Sequence, residues 1–349
     1  MVKKAENILV GISIGDLNGV GSEVVLKTFE DARMLELCTP VIFANVKMLS
    51  YLRKSFDSTA VLHGIDRLDQ IVPGKINVFN LWKESFNLEY GIENEIVGSH
   101  AIKSFVAATK ALKEGIVDVL VTAPINKHTV QSETFNFPGH TDYLNQELEG
   151  DALMLMVCDD LRVGLLTDHV PVTEVATFIT EKRIRQKVQT IKKSLIQDFC
   201  IPKPKIAVLG LNPHCGDQGV IGKEDDEIIR PTLKKMFEEG TLVFGPYAAD
   251  SFFGSHSHEK FDAVIACYHD QGLIPFKTLS FGKGVNYTAG LNKVRTSPDH
   301  GTAYEIAGKN QADFNSFTEA VYLALDIYKS RLEHAHWAEK PLKSKEKQF

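Results

Sequence analysis

Short runs of β-branched and aliphatic residues recur along the chain, alternating with longer stretches whose apolar positions fall at helical spacing. Strands are predicted at Ile8–Ile14, Val41–Ala44, Ile76–Phe79, Val117–Thr122, Leu153–Val157, Arg162–Leu166, Ile206–Leu209, Leu242–Phe244 and Ala263–Cys267. Helices are predicted at Ser22–Phe29, Ala101–Lys113, Glu181–Gln197, Glu224–Glu238 and Phe317–His334. In Glu181–Gln197, Ile184, Val188, Ile191 and Leu195 fall on one face, a stripe that reads as core or interface. The pattern is that of an α/β domain with a largely parallel sheet. No repeat or low-complexity linker divides the chain, so domains that exchange segments fit as well as two consecutive ones.

The length of 349 residues, 44% hydrophobic, leaves room for about two domains and a substantial core. A net charge of −6 provides no global basic field for nucleic acid or an anionic membrane. An anionic ligand would therefore need positive charge concentrated in a pocket. The five cysteines (Cys38, Cys158, Cys200, Cys215 and Cys267) are scattered and form no C-x-x-C pair, which argues against a disulfide scaffold or a zinc knuckle. Asp16 interrupts the short apolar run near the start, and no stretch approaches a membrane span. A cytoplasmic protein is expected, with a flexible lysine-rich tail over 338–349.

Placing the histidines on this map changes the picture. His169 in LLTDHVP, His214 in LGLNPHCGDQG and His269 in IACYHDQG each directly follow a predicted strand, each near a carboxylate (Asp168, Asp217, Asp270). Ligands of α/β sheets collect beyond the carboxyl ends of strands, so three imidazoles there could converge on a divalent metal with an open position. His256 and His258 in SFFGSHSHEK could also chelate, but that segment reads as a solvated loop.

Other polar clusters share the strand-end position. Thr122, Asn126 and Lys127 follow a strand; Gly139-His140-Thr141-Asp142 precedes a helix, with Thr141 a candidate N-cap. Lys277, Lys283, Asn286 and Arg295 lie in a glycine-rich segment suited to phosphate or carboxylate. Gly15-Asp-Leu-Asn-Gly-Val-Gly-Ser invites a dinucleotide-fold reading, yet Val24 stands where the third glycine should be. Neither a phosphate-loop nor a serine-hydrolase motif occurs.

Taken together, GHTDYL, TDHVP, GLNPHCGDQG, GPYAADSFF, YHDQGLIPFK, GVNYTAGL and RTSPDHGTA resemble the 4-hydroxythreonine-4-phosphate dehydrogenase family of vitamin B6 synthesis, over roughly Ile8 to Tyr328. The resemblance implies an isocitrate/isopropylmalate-dehydrogenase-like architecture, two α/β/α domains about a cleft, split approximately as 1–135 plus 300–337 and 136–299. It implies a homodimer with sites shared between subunits. It assigns His169, His214 and His269 to a divalent metal (zinc, magnesium or cobalt), and His140, Thr141, Lys277, Asn286 and Arg295 to substrate. NAD, or NADP, is expected along Asn286, Leu291, Asp299 and Gly301, with Asp250 or Asp270 handling the proton. The family's first loop has prolines where this chain has Leu17 and Ser22.

The implied reaction is oxidation and decarboxylation of 4-phosphooxy-L-threonine to 3-amino-2-oxopropyl phosphate, on the route to pyridoxal 5'-phosphate. The rival within oxidoreductases is a dehydrogenase of D-threonate or D-erythronate 4-phosphate. From other classes, the same histidines could serve a metal-dependent hydrolase or a ligand-binding regulator without turnover.

Overall fold

Twelve strands form one continuous sheet in this computed structural model, which describes residues 7–133, 135–159 and 161–339. In chain order they are β1 (Ile8–Ser13), β2 (Cys38–Ala44), β3 (Leu62–Ile65), β4 (Ile76–Asn80), β5 (Val119–Thr122), β6 (Gly150–Cys158), β7 (Leu161–Leu165), β8 (Ile206–Leu209), β9 (Val243–Tyr247), β10 (Ala263–Ala266), β11 (Val285–Leu291) and β12 (Val294–Pro298). Their spatial order is β3-β4-β2-β1-β5-β12-β11-β6-β7-β10-β8-β9. The first five and β12 run parallel, as do β7, β10, β8 and β9. The antiparallel strand pairs lie at the centre of the sheet, where β11 lies between β12 and β6 and β6 pairs with β7. The α/β class expected from the hydrophobic pattern is the class adopted.

Side chains alternate across this sheet with the period of two that a strand imposes. Val119 and Val121, Leu153 and Leu155, Ile206 and Val208, and Ala263 and Ile265 enter one apolar layer running the length of the sheet. Helices Gly21–Thr28, Glu181–Gln197 and Asn315–Glu339 contribute to that layer; from the second come Ile184, Val188, Ile191 and Leu195, the predicted stripe. On the opposite face the apolar cover is in two pieces. Phe43, Leu120, Phe105 and Leu112 form one with helix Glu95–Lys113. Val163, Ala207, Val264, Leu273 and Phe276 form the other with helix His269–Ser280. Between the pieces lie the central strands, and there the second face turns polar.

Several boundaries differ from expectation for identifiable reasons. Helix Glu95–Lys113 begins before Ala101 because the Asn94 side chain accepts from the Ile96 and Val97 amides, a cap that contributes about 1 kcal/mol. The helix expected over Glu224–Glu238 is a π-turn, Asp225–Ile229, passing into α-helix Arg230–Glu238, with Pro231 at the junction. Helix His269–Ser280 was not expected, and the glycine-rich segment, for which no strand was expected, includes the central β11–β12 pair. β12, on the 136–299 side of the expected division, hydrogen-bonds β5 on one edge and β11 on the other. The last helix continues to Glu339, so the tail expected over 338–349 falls outside the described residues from 340 onward.

The first loop does not offer its glycines to a ligand. Leu17 and Ser22 are buried, and a side chain on Gly19 would meet the Thr302 carbonyl at 2.7 Å. Val20 N–H donates to that carbonyl, and the Tyr304 hydroxyl donates to buried Asp16 at 2.6 Å. The loop is packed against its own chain, which agrees with the incomplete dinucleotide motif.

Candidate active site

Because Val285, Tyr287 and Ala289 of β11 enter the continuous apolar layer, Asn286 and Thr288 must point to the other face; likewise Val294 places Arg295 there, and Val121 places Thr122 there. The outcome is a cavity of about 290 Å³ between the two apolar pieces. Thr122, Lys127, His140, Thr141, Asp142, Asp168, His169, Asn286, Arg295, Asp299, His300 and Gly301 are among its lining residues. Chain segments far apart in sequence thus meet over the ends of β5, β12, β11 and β7.

Arg295 is the most informative of them. It is 2% exposed, and its partners are neutral hydroxyls: Nε and Nη2 donate to Thr122 Oγ1 at 3.1 and 2.5 Å, and Nη1 donates to Thr288 Oγ1 at 3.1 Å. No carboxylate pairs with it among the described residues, and burial pushes the guanidinium down to about 9. A buried charge without a counter-ion is costly, so this geometry calls for an anion from outside the chain. The cavity also holds three shielded polar atoms without hydrogen-bond partners: His140 Nε2, Asn286 Oδ1 and His300 Nε2. In a polar cavity these are positions for a ligand or for water.

Helix His140–Glu147 points its amino end at the same space. Its N-cap is Gly139 rather than the expected Thr141, and no side chain satisfies the first amides. Open amides and the helix dipole favour an anion there. The His140 ring packs edge-on against Phe105, with ring centroids 4.5 Å apart. Burial, then Arg295 and Lys127, hold its imidazole well below the ordinary 6.5. The unfolded chain takes up that proton near 6.5, so folding gains full stability from neutral His140 above this pH and loses it progressively below. Acidification from about pH 7.5 to about 5.5 should therefore lower Tm more in the wild type than in His140→Gln. Parallel Tm profiles would show that His140 does not carry the effect.

The histidines of the three strand ends are organised by sheet order. β7, β10 and β8 are parallel neighbours, and His169, His269 and His214 follow their carboxyl ends. Pairing of β7 with β10 continues past the strands: Thr167 N–H and Oγ1 both donate to the Cys267 carbonyl. This brings the His169 and His269 rings to 5.9 Å between centroids. Burial and the nearby Lys127 lower His169 below its ordinary value, favouring the neutral imidazole that ligates metals. His214 is exposed on the 3₁₀ turn Pro213–Gly219, and the nitrogens of the three rings are not drawn within 4.8 Å of one another.

That turn has an unusual backbone. His214, Cys215, Asp217 and Gln218 all adopt left-handed φ, between 44° and 55°, beside Gly216 and Gly219. Each non-glycine residue there costs about 1–2 kcal/mol. Fully buried Asp225 anchors the turn, accepting from Leu211 N and Asn212 N at 2.8 and 3.0 Å and from Asn212 Nδ2 at 3.0 Å. Gln271 bridges the loops of His214 and His269, donating to Gly210 O and accepting from Cys267 N, each at 2.7 Å. Sequence reading missed both. Asp225 carried no motif signal, whereas Gln271 stood inside YHDQG beside a candidate ligand.

The remaining expected site residues are distributed unequally. Asp299 and Gly301 line the cavity, and Lys277 donates to the Asp299 carbonyl at 2.9 Å without lining it. Burial raises the Asp299 carboxyl. Leu291 is buried at the other end of β11, about 17 Å along the strand from Asn286, beside a different cavity. Asp250 is exposed in the first turn of helix Ala249–Gly254, and Asp270 contacts His269 Nδ1 at 2.7 Å; neither lines the cavity. Asn126 turns away, donating to Glu93, and Lys283 lies in another depression near Glu319.

Comparison with known proteins is consistent along the chain. Residues 36–324 match the family model described as pyridoxal phosphate biosynthetic protein PdxA. A 4-hydroxythreonine-4-phosphate dehydrogenase of Bacteroides thetaiotaomicron is 48% identical over 326 residues, covering 93% of this chain and 90% of the relative. One from Sulfurihydrogenibium is 38% identical, covering 93% and 99%. The crystal structure of a 4-hydroxythreonine-4-phosphate dehydrogenase from Klebsiella pneumoniae superimposes with a TM-score of 0.79 at 31% identity, covering 93% of this chain and 98% of that one. With the family model matching most of the chain and a relative 48% identical over 93% of it, the chain belongs to the pyridoxal phosphate biosynthetic protein PdxA family.

Proposed function

We propose that this protein is an NAD-dependent, divalent-metal-dependent dehydrogenase. It oxidises 4-phosphooxy-L-threonine with loss of carbon dioxide, giving 3-amino-2-oxopropyl phosphate for pyridoxal 5'-phosphate synthesis. The observation that carries this reading is Arg295, a buried guanidinium with only hydroxyl partners in a cavity that also holds orphaned polar atoms. Such a site suits a small phosphorylated molecule.

The donor set fits a borderline divalent cation: three imidazoles from adjacent parallel strand ends, with His169 held neutral. His169, His214 and His269 would hold the cation, which would supply electrophilic stabilisation of developing oxygen charge, and NAD would supply the hydride acceptor. The protein's own residues do the rest. Arg295, Lys127 and the open amides at His140 and Thr141 hold the phosphate. Asp270 orients His269 by accepting from Nδ1–H, leaving Nε2 as the ligating atom. Asp142 and Asp168 offer carboxylates to the substrate's ammonium. The turn at Asp299 and Gly301, together with Asn286, lines the cavity and would contact the cofactor. Asp270, which contacts His269, would take the hydroxyl proton, with Asp250 as the alternative.

Val172 and Val220, close in sequence to His169 and His214, are exposed apolar side chains, at 78% and 81%. They support a homodimer in which a second copy completes each site. No helix among the described residues is long and apolar enough to cross a membrane, and we take the cytoplasm as the place of action.

One alternative has a specific motive: a relative from Oceanobacillus iheyensis, 33% identical, is named provisionally as a D-threonate 4-phosphate dehydrogenase. Asp142 and Asp168 favour the amino substrate, because threonate has no ammonium for them to meet. The test gives metal-stripped protein each substrate with NAD, restoring zinc, magnesium or cobalt, and follows NADH. Metal-dependent NADH from the amino substrate is expected. NADH from threonate phosphate alone would move the reading to the alternative, and phosphate release without NAD would indicate a hydrolase.

A further inference from the structure

Away from the cavity, the turn Ser257–Lys260 leads into the amino end of β10, whereas His269 follows the strand's carboxyl end. We propose that His256, His258 and Glu259 form a separate metal site on this turn, one that takes zinc or nickel. Among the described residues, these are the three His, Cys, Asp or Glu side chains whose potential ligand atoms all lie within 4.8 Å of one another. Tetrahedral zinc with bonds of about 2.0–2.1 Å needs ligand atoms about 3.3 Å apart. His256 Nδ1 and Glu259 Oε1 are already 3.6 Å apart.

The backbone holds the three residues in this arrangement. His256 adopts left-handed φ of 55°, and its N–H donates to Phe253 O at 3.1 Å. Glu259 N–H donates to His256 O at 3.2 Å, and Phe261 N–H to His258 O at 3.1 Å. The His258 ring packs on Phe253, with centroids 5.5 Å apart, and lies 5.8 Å from the His256 ring. Its Nδ1 is shielded from solvent and has no hydrogen-bond partner. A ring with an unpartnered nitrogen, beside a second imidazole and a carboxylate, is a donor set that a borderline cation would satisfy. Three protein ligands leave one position of a tetrahedral ion open, and water fills it. Magnesium, which prefers oxygen ligands, is not expected to bind here. A bound ion would brace the segment joining helix Ala249–Gly254 to β10, without touching the cavity.

The test uses the full-length, metal-stripped protein, titrated with zinc chloride in a calorimeter. His256→Ala and the double variant His256→Ala/His258→Gln are compared with the wild type. His256 is well exposed, so its removal leaves the fold intact. The expected result is one zinc fewer per chain in the double variant, and binding at that site at least tenfold weaker in His256→Ala. Turnover should be unchanged in both. The rise in Tm that zinc produces should shrink in both variants, and magnesium should give no corresponding heat. A parallel titration of His214→Ala should retain this ion, separating the site from the strand-end histidines. Equal zinc stoichiometry in wild type and double variant, including none in either, overturns the proposal.

Discussion

Arg295→Ala should lower kcat/KM for the phosphorylated substrate by about 10²–10³-fold, mostly through KM, if the anion site is correctly placed. Truncating one partner of a buried charged pair costs about 2–5 kcal/mol, and each 1.36 kcal/mol is a factor of ten. Arg295 reaches such values because the side chain is buried and its partners among the described residues are the neutral hydroxyls of Thr122 and Thr288. Arg295→Met separates chemistry from packing. It keeps much of the volume and removes a buried charge without a counter-ion, so activity should fall as in the alanine variant while Tm holds or rises. Steady-state kinetics with thermal denaturation reads both quantities. An unchanged KM for the phosphorylated substrate in Arg295→Met would remove this residue from the anion site.

The second large effect is expected at His214. His214→Ala should reduce metal-dependent turnover by about 10³-fold or more, since a three-ligand site that loses one imidazole holds its cation poorly and in altered geometry. The side chain is exposed on its turn, so the fold should survive, and circular dichroism can check that. The measurement is initial rate against added zinc or cobalt, with bound metal counted in parallel. Near-normal turnover with near-normal metal content would sink the assignment of the strand-end histidines.

Apolar strands were readable because their signal is local. Ile206–Leu209 and Ala263–Ala266 consist entirely of apolar residues, buried on both faces. β11 escaped because Asn286, Thr288 and Gly290 alternate with Val285, Tyr287 and Ala289, and the polar half resembled a loop. Period two was present in that segment, and it would have placed Asn286 on the face opposite Tyr287. The inner-face position of Arg295 followed the same rule but needed β12 to be recognised as a strand. Helix His269–Ser280 was hidden by Gly272 and Pro275, which weigh against a helix unless packing compensates; here Gly272 lies so close to Leu165 and Ala266 that a side chain would collide.

The sequence by itself determined the alternation of strands and helices, the core stripe of Glu181–Gln197, and the position of three histidines after three strands. It also determined that an acidic chain needs a local basic pocket for an anion, because residue type and short-range spacing set all of these. Only the tertiary structure decided that β7, β10 and β8 are neighbours, since strand order depends on crossovers that no local pattern encodes. It likewise decided that Leu291 lies away from the cavity and that Asp250 and Asp270 do not line it. That no carboxylate pairs with Arg295 among the described residues was settled there too. Burial and pairing are properties of residues distant in sequence, and they exist only once the sheet has brought those residues together.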